Sequence, residues 1–432
     1  MPYRRFRTKS ERGCVFGHVL VLDLSEKNDK NVLFFYNLQI ICQKTCKYQF
    51  FFVTLRAYFG VYRYKLKNNR FIVSLLTALL LLTAQTMCGQ YVGSGTSTFA
   101  FLDLPVSARQ NALGGENISI RDGELSSAFA NPALLGSLTH NIVQIGYAYY
   151  GSNHYGSAMY GYNFGESKRL AGDRISATAD GKPERPNYFA AGVHYLDYGT
   201  MRYAESSGEL TGATFGARDI LLEAAYARQL GQMFVVGVAV KPVMSFYESY
   251  SSFALGADVG AHFQMKDSTL QIGLALKNIG WQLKGFHSDE SGQHLEMLPL
   301  NLEFGINYRV KHAPLRFSLT IHNIQNWDLG YSRLNETELP VKEVGVFDMM
   351  MRHTIWAIDI VPKSEKFYFT LSYNHRRRME FNLQDQRSLA GFAAGVGLRI
   401  KMLRLGFAMS QMSKSNFTYQ ASIALDVNSL IK

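Results

Sequence analysis

Beyond residue 88 the chain contains no cysteine; Cys14, Cys42, Cys46 and Cys88 are the whole supply. The residues that follow therefore hold no disulfide framework, no thiolate metal site and no cysteine nucleophile, and they suit an oxidising compartment. Charge is scarce as well. Of the 432 residues 18% are Asp, Glu, Lys or Arg while 13% are aromatic, which is little charge for a water-facing surface. The net charge of +11 would point to an anionic partner such as nucleic acid, but residues 1–89 carry 14 basic and 4 acidic side chains, and residues 90–432 carry 31 and 30. Nucleic-acid binding loses its warrant with that division. No apolar run reaches the roughly 20 residues of a membrane-crossing helix. Also absent are a phosphate-binding glycine loop, a zinc spacing and a calcium loop, so no metal or cofactor is expected.

What is present begins with a basic stretch, Lys65 to Arg70, followed by the apolar Phe71 to Ala84 and the polar Gln85 to Gln90. This order reads as a secretory signal peptide over 65–89, cleaved near Gly89/Gln90. A lipid anchor on Cys88 is disfavoured, because bulky Met87 stands where a small residue is expected. Residues 1–64 precede the signal, show no alternation, and have every apolar stretch interrupted by Lys or Arg. They read as non-native upstream translation or a disordered extension, with Leu66 as an alternative start. A genuine N-terminal extension or extra membrane helix is the competing reading.

After residue 140 a period of two dominates. In residues 299–308 Leu300, Leu302, Phe304, Ile306 and Tyr308 alternate with Asn301, Glu303, Gly305 and Asn307. The pattern recurs in 270–277, 315–322 and 417–426. A soluble sandwich alternates too, yet these stretches run to about 10–15 residues, whereas soluble strands average about 5 or 6 and a tilted bilayer crossing needs about 9–11. A bilayer admits only helices or closed barrels, since every backbone polar group must be paired.

Strands are expected at about 140–150, 155–165, 187–205, 217–230, 232–247, 251–266, 269–283, 298–311, 313–327, 349–362, 366–380, 389–401, 402–411 and 416–427. The count predicts a 14-stranded antiparallel transmembrane β-barrel over residues 140–432, with both ends in the periplasm of a Gram-negative bacterium. Turns at Gly231, 266–268, 311–313 and 362–366 then face the periplasm, and the connections near 206–216, 284–297, 328–348 and 381–388 face outward. The long charged connection 165–186 falls on the periplasmic side, against the usual rule.

Residues 90–139 lack this alternation. They are rich in Gly, Ala, Ser and Asn, with helical turns expected at 107–113 and 124–130. A barrel of fourteen strands is wider than its own side chains fill, so the segment reads as an N-terminal hatch or plug within it. Gly114 and Gly115 suit a left-handed stop to the first turn, and Asn131-Pro132 ends the second.

The run "FAFLDLPVSARQNALGGENISI" (99–120), then "FANPALL" (129–135), "HYLDYGTM" (194–201) and "LALKNIG" (274–280), resembles the PorQ family of type IX secretion barrels. That family is related to PorV and to FadL-type transporters. The resemblance spans roughly 91–427. It makes Ser107, Arg109, Gly114, Gly115, Asn131 and Pro132 the hatch motif, with no catalytic, cofactor or metal residues. It further implies an integral outer-membrane protein in a surface attachment complex, a scaffold that holds a PorZ-like subunit beside PorU sortase and PorV. Secreted cargo is linked there to anionic lipopolysaccharide, so outer-membrane lipid is a further partner. The preamble before the signal peptide and the non-aromatic end Leu430-Ile431-Lys432 depart from the family.

Two alternatives remain. Some barrels hydrolyse lipids, and His154, His194, His262, His322, His353 and His375 lie on or beside expected strands, with His322, His353 and Asp359 pointing inward by alternation. Polar lumen residues are expected on structural grounds, and Ser429-x-x-Lys432 lies on a chain end with no pocket. Transport of hydrophobic small molecules in the manner of FadL is the stronger alternative. A strand kink and an apolar pocket above the hatch would favour it, and Asp197-Tyr198-Gly199 is a candidate bulge. A continuous wall with large outward loops would favour the scaffold. Trp281, Trp327 and Trp356 read as interface girdle residues.

Overall fold

The structure, a computed structural model, describes residues 36–45, 48–57, 98–164, 186–205, 207, 209–289, 292–293, 295–329, 344–381, 389–411 and 417–429. The chain divides into two units, 1–91 and 92–432. In the first, Tyr36–Thr45 and Tyr48–Ala57 form a two-stranded antiparallel ribbon, where the sequence offers no strand signal. The expected signal peptide lies outside the described residues.

The second unit is a closed antiparallel barrel of fourteen strands. They are β1 Ile142–Tyr150, β2 Asn153–Phe164, β3 Asn187–Ala204, β4 Leu210–Gln229, β5 Phe234–Tyr247, β6 Tyr250–Gln264 and β7 Leu270–Lys284, followed by β8 Asn301–Arg309, β9 Leu315–Ile321, β10 Thr354–Ile360, β11 Phe367–Asn374, β12 Phe392–Ile400, β13 Leu403–Gln411 and β14 Phe417–Asp426. Each pairs with its neighbours in sequence, and β14 closes the ring on β1, with Asp426 opposite Ile142 and Tyr419 opposite Tyr149.

The alternation sorts itself inside out. On β8 Asn301, Glu303 and Asn307 are buried while Tyr308 is exposed, and on β1 Ile145, Tyr147 and Tyr149 face out while Gln144 is buried. In water this would leave a continuous apolar wall exposed. In hydrocarbon it is the stable arrangement, because the apolar face meets lipid and the backbone is paired all round. The fold is a transmembrane barrel with its N-terminal segment inside.

One rim carries the turns at 230–233, 265–269, 310–314, 361–366 and 401–402; the other carries the two-residue turns at 151–152 and 248–249 together with the long connections after β7, β9 and β11, so the two are called here the short-turn and long-loop rims. The charged connection 165–186 lies almost wholly outside the described residues. Four stretches differ from expectation, the first being β9, which stops at Ile321 where a strand is expected to 327. Val346–Arg352 is a helix, α2, where a strand is expected from 349, and His375–Phe381 is a helix, α3, where a strand is expected to 380. An Arg376–Glu380 pair one turn apart at 2.6 Å supports α3. Conversely β4 begins at Leu210, inside an expected loop, because the β3–β4 hairpin projects beyond the neighbouring strands. At Asp197–Thr200 the β3–β4 register shifts around Gly199, whose φ is +77°; a bulge stands where Asp197-Tyr198-Gly199 suggests one.

Residues 98–141 thread the lumen. They contain a short helix, α1 (Ala108–Ala112), and four 3-10 turns, the second of them Leu125–Phe129. The wall accommodates their backbone with inward-facing glycines on adjoining strands. A Cβ on Gly237 would meet Ala133 N at 2.6 Å, and one on Gly260 or Gly273 would collide with Asn131 or with the Ile118 carbonyl.

Candidate functional site

The six motif residues do not form one cluster; they fasten the internal segment at separate points of the lumen. Ser107 caps α1, its hydroxyl accepting from Gln110 N at 3.4 Å and from Ser126 Oγ at 2.7 Å. Arg109, on α1, is fully buried. Its Nη2 donates to Asp359 Oδ2 at 2.9 Å, its Nη1 to Asp359 Oδ1 at 3.2 Å and to Thr370 Oγ1 at 2.7 Å, and its Nε to Asp122 Oδ2 at 3.1 Å. The guanidinium lies 4.3 Å from the centre of the Tyr368 ring. Gly114 and Gly115 end α1 with φ of +89° and +116°, conformations that side chains resist. A Cβ on Gly115 would meet Arg377 Nη2 at 2.5 Å. Asn131 accepts from Ala133 N at 3.0 Å and donates to the Ile118 carbonyl at 2.8 Å, so that it starts the Pro132–Leu134 turn as well as ending the previous one.

Burial alone would raise Asp122, but Arg109 and Arg316 beside it hold its carboxyl below the usual range. Glu124 goes the other way, pushed up by burial and by the charge of Asp122.

Above this floor, toward the long-loop rim, the lumen has two characters. One part is polar. A cavity of about 150 Å³ is lined by Asp103, Gly115 and Glu116 of the internal segment and by Asn301, His322 and Arg377 of the wall and α3. Lys277 Nζ donates to Glu116 at 2.9 Å and to Glu303 at 3.4 Å. Burial pushes Asp103 up, with Lys277 opposing. Next to it, Lys241 pairs with Asp258 and lies 3.8 Å from Glu223. The other part is apolar. Phe99 and Phe101 are each 5% exposed and pack among Tyr155, Leu196, Leu221, Val243 and Leu298. A second apolar cluster sits lower, around Phe129, Leu125, Met159 and Tyr188.

The histidines are dispersed. His194 and His262 are buried and inward, His194 Nδ1 2.8 Å from Tyr155 Oη and His262 Nε2 3.0 Å from the Ser119 carbonyl. His154 faces out, 2.7 Å from Tyr147 Oη. His322 directly follows β9 and lines the polar lumen cavity, while His353 directly precedes β10, is buried and bonds the carbonyls of His322 and Trp327. His322 faces inward as its alternation suggests, although β9 stops one residue before it. Asp359 does face the lumen. His375 opens α3 and pairs with Asp348 at 2.7 Å. Trp281, Trp327 and Trp356 are exposed at the strand ends or on the outer wall. The ionic network around Lys277 and Lys241 and the Phe99–Phe101 cluster escape a sequence reading; the two lysines fall at polar phases of their strands, but nothing local names their partners.

No protein-family model matches the sequence, and no curated protein matches it. Among solved structures, the TodX monoaromatic hydrocarbon channel deltaS2 mutant is similar at 12% identity with a TM-score of 0.43, over 76% of this chain and 98% of that one. The Pseudomonas putida toluene transporter TodX follows at 11% and 0.41, over 74% and 96%. A Pseudomonas aeruginosa FadL homologue stands at 10% and 0.35, over 70% and 94%. At these values nothing about ligand or partner passes from those proteins to this chain.

Proposed function

We propose that the chain is a non-enzymatic integral outer-membrane protein that admits a hydrophobic small molecule from the long-loop side into the lumen above its internal segment. The observation that carries this reading is the apolar cluster around Phe99 and Phe101. Side chains facing the interior of a large membrane barrel are ordinarily polar, yet Leu196, Leu221, Val243 and Leu298 line this one. The cluster is centred on the chain's own aromatic side chains, which stand where a guest would. The bulge at Gly199 lies at the same level, beside Leu196. A photoactivatable apolar carbene probe tests the reading on the full-length protein in bilayers. Labelling of lumen-facing Leu196, Leu221 or Val243, increased in F99A/F101A, is expected. Labels confined to the lipid-facing wall in both proteins would sink it.

A second reading rests on a different feature. On α2 Val346, Phe347 and Met350 are 71%, 77% and 53% exposed, an apolar face on the long-loop rim of a barrel whose wall is paired all the way round. Such a face fits the scaffold of a type IX attachment complex, with a PorZ-like subunit docked there beside PorU and PorV. Co-purification of those three from mildly solubilised membranes, lost in F347D, is the expected result. A partnerless barrel would leave the lumen reading alone.

A further inference from the structure

The short-turn rim carries a ring of basic side chains. Arg228, Lys266, Lys311, Lys363, Lys366 and Lys401 are all exposed, and between them they mark all five of its described turns. Among the described residues of these turns the acids are paired: Asp267 with Lys311 at 3.3 Å and Glu365 with Arg309 at 2.6 Å. Among the described residues Arg228, Lys266, Lys363, Lys366 and Lys401 have no acidic partner. The opposite rim mixes signs, with exposed Glu205, Glu209 and Glu296 beside exposed Arg202 and Lys284.

Four of these five cations, all but Lys363, also stand at the edge of the lipid-facing wall. Met265 (42% exposed) precedes Lys266, Phe367 (47%) follows Lys366, and Ile400 (50%) precedes Lys401. Phe234, 52% exposed, begins the strand after the turn that Arg228 approaches. A lysine so placed lays its methylenes along the apolar belt and carries its ammonium group to the level of the headgroups. We propose that this ring binds the anionic phospholipid headgroups of the leaflet at the short-turn rim. The inference rests on the reading of the chain as an integral membrane barrel and adds to it a lipid preference confined to one rim. Charge complementarity and continuity with the lipid-facing wall favour headgroups over a soluble acidic partner, which would not need the flanking apolar side chains. Attraction of this kind is local, since it is screened within about 10 Å at 0.1 M salt.

The test uses full-length protein in bilayers of phosphatidylcholine with a minor share of phosphatidylglycerol. The bilayers are then mildly solubilised and the lipid that stays with the protein is analysed. The shell is expected to be enriched about threefold in phosphatidylglycerol at low salt, and to match the bulk at 0.5 M salt. In K266Q/K363Q/K366Q/K401Q the enrichment disappears while the protein keeps its folded electrophoretic mobility. R202Q/K284Q, altered on the other rim, retains it. A wild-type shell of bulk composition overturns the proposal, and so does equal loss in both variants, which would mean that only total charge matters. Capture of an acidic protein through the same four lysines, without lipid enrichment, overturns it in favour of a protein partner. Failure of the wild-type chain to insert at all would instead refute the membrane reading beneath it.

Discussion

The internal segment is held differently on the two sides of the lumen. Toward β9–β11 it is fastened by charge, through Arg109 with Asp359 and Thr370 and through Asp122 with Arg316. Toward β1–β5 it is fastened mainly by shape, through Phe129, Leu125, Ala133 and Leu135 against Met159, Tyr188, Ala225 and Val235. The first kind of contact is specific in angle and costly to break by halves, because a buried charge that loses its partner has no water to turn to. The second is forgiving of angle and sensitive to volume. Together they let a segment with little regular structure hold one position in a wide barrel.

The comparison breaks most visibly at Arg109. Arg109→Ala leaves Asp359 and Asp122 sharing Arg316 beside a void, and is expected to cost about 3–5 kcal/mol of stability, read as a lower urea midpoint for the detergent-solubilised barrel. Phe129→Ala on the other side is expected to cost about 3 kcal/mol by the cavity it leaves, in the same titration. If the two effects exchange places, charge is not the stronger fastening. Acid sharpens the contrast. Since Asp122 is held below its ordinary value, about 3.9, its contribution is complete above that pH and is lost as the pH falls through the folded value. The protection of amides 107–123 against exchange, corrected for the intrinsic slowing of exchange in acid, should therefore drop severalfold once the pH falls below the ordinary carboxylate value, while that of 125–135 changes less; a uniform drop would show that the two fastenings are one unit. Ser107→Ala, which removes the cap of α1, is the mildest change, at about 1 kcal/mol in the urea titration.

Much of the barrel is legible in the sequence because lipid imposes a pattern on single residues. Every second side chain of β8 must satisfy hydrocarbon, so Leu302, Phe304, Ile306 and Tyr308 announce the strand and its outer face. The helices α2 and α3 are not legible in this way. They stand at the rim, free of the two-residue rule, and Met349 or Arg376 reads as well in a strand as in a helix. Inside the barrel the pattern says only that a residue is polar or small. Lys277 and Glu116 are far apart in sequence and meet because the segment is folded back into the lumen. Gly260 and Gly273 read as weak strand residues, and their use as a seat for Asn131 and Ile118 appears only when the two layers are stacked. Partner choice in the lumen is a property of the closed ring, and no local window contains it.

The pairing of β14 with β1 joins the two ends of the barrel sequence. It is the one pairing in the ring between strands that are not neighbours in sequence, so it carries the longest loop closure. While Phe417–Asp426 is unpaired, Ile142–Tyr150 is an open edge, which invites pairing with other chains, and contacts of such long range are slow to form. A chain stopped short of residue 417 would leave that edge with nothing to finish its enclosure.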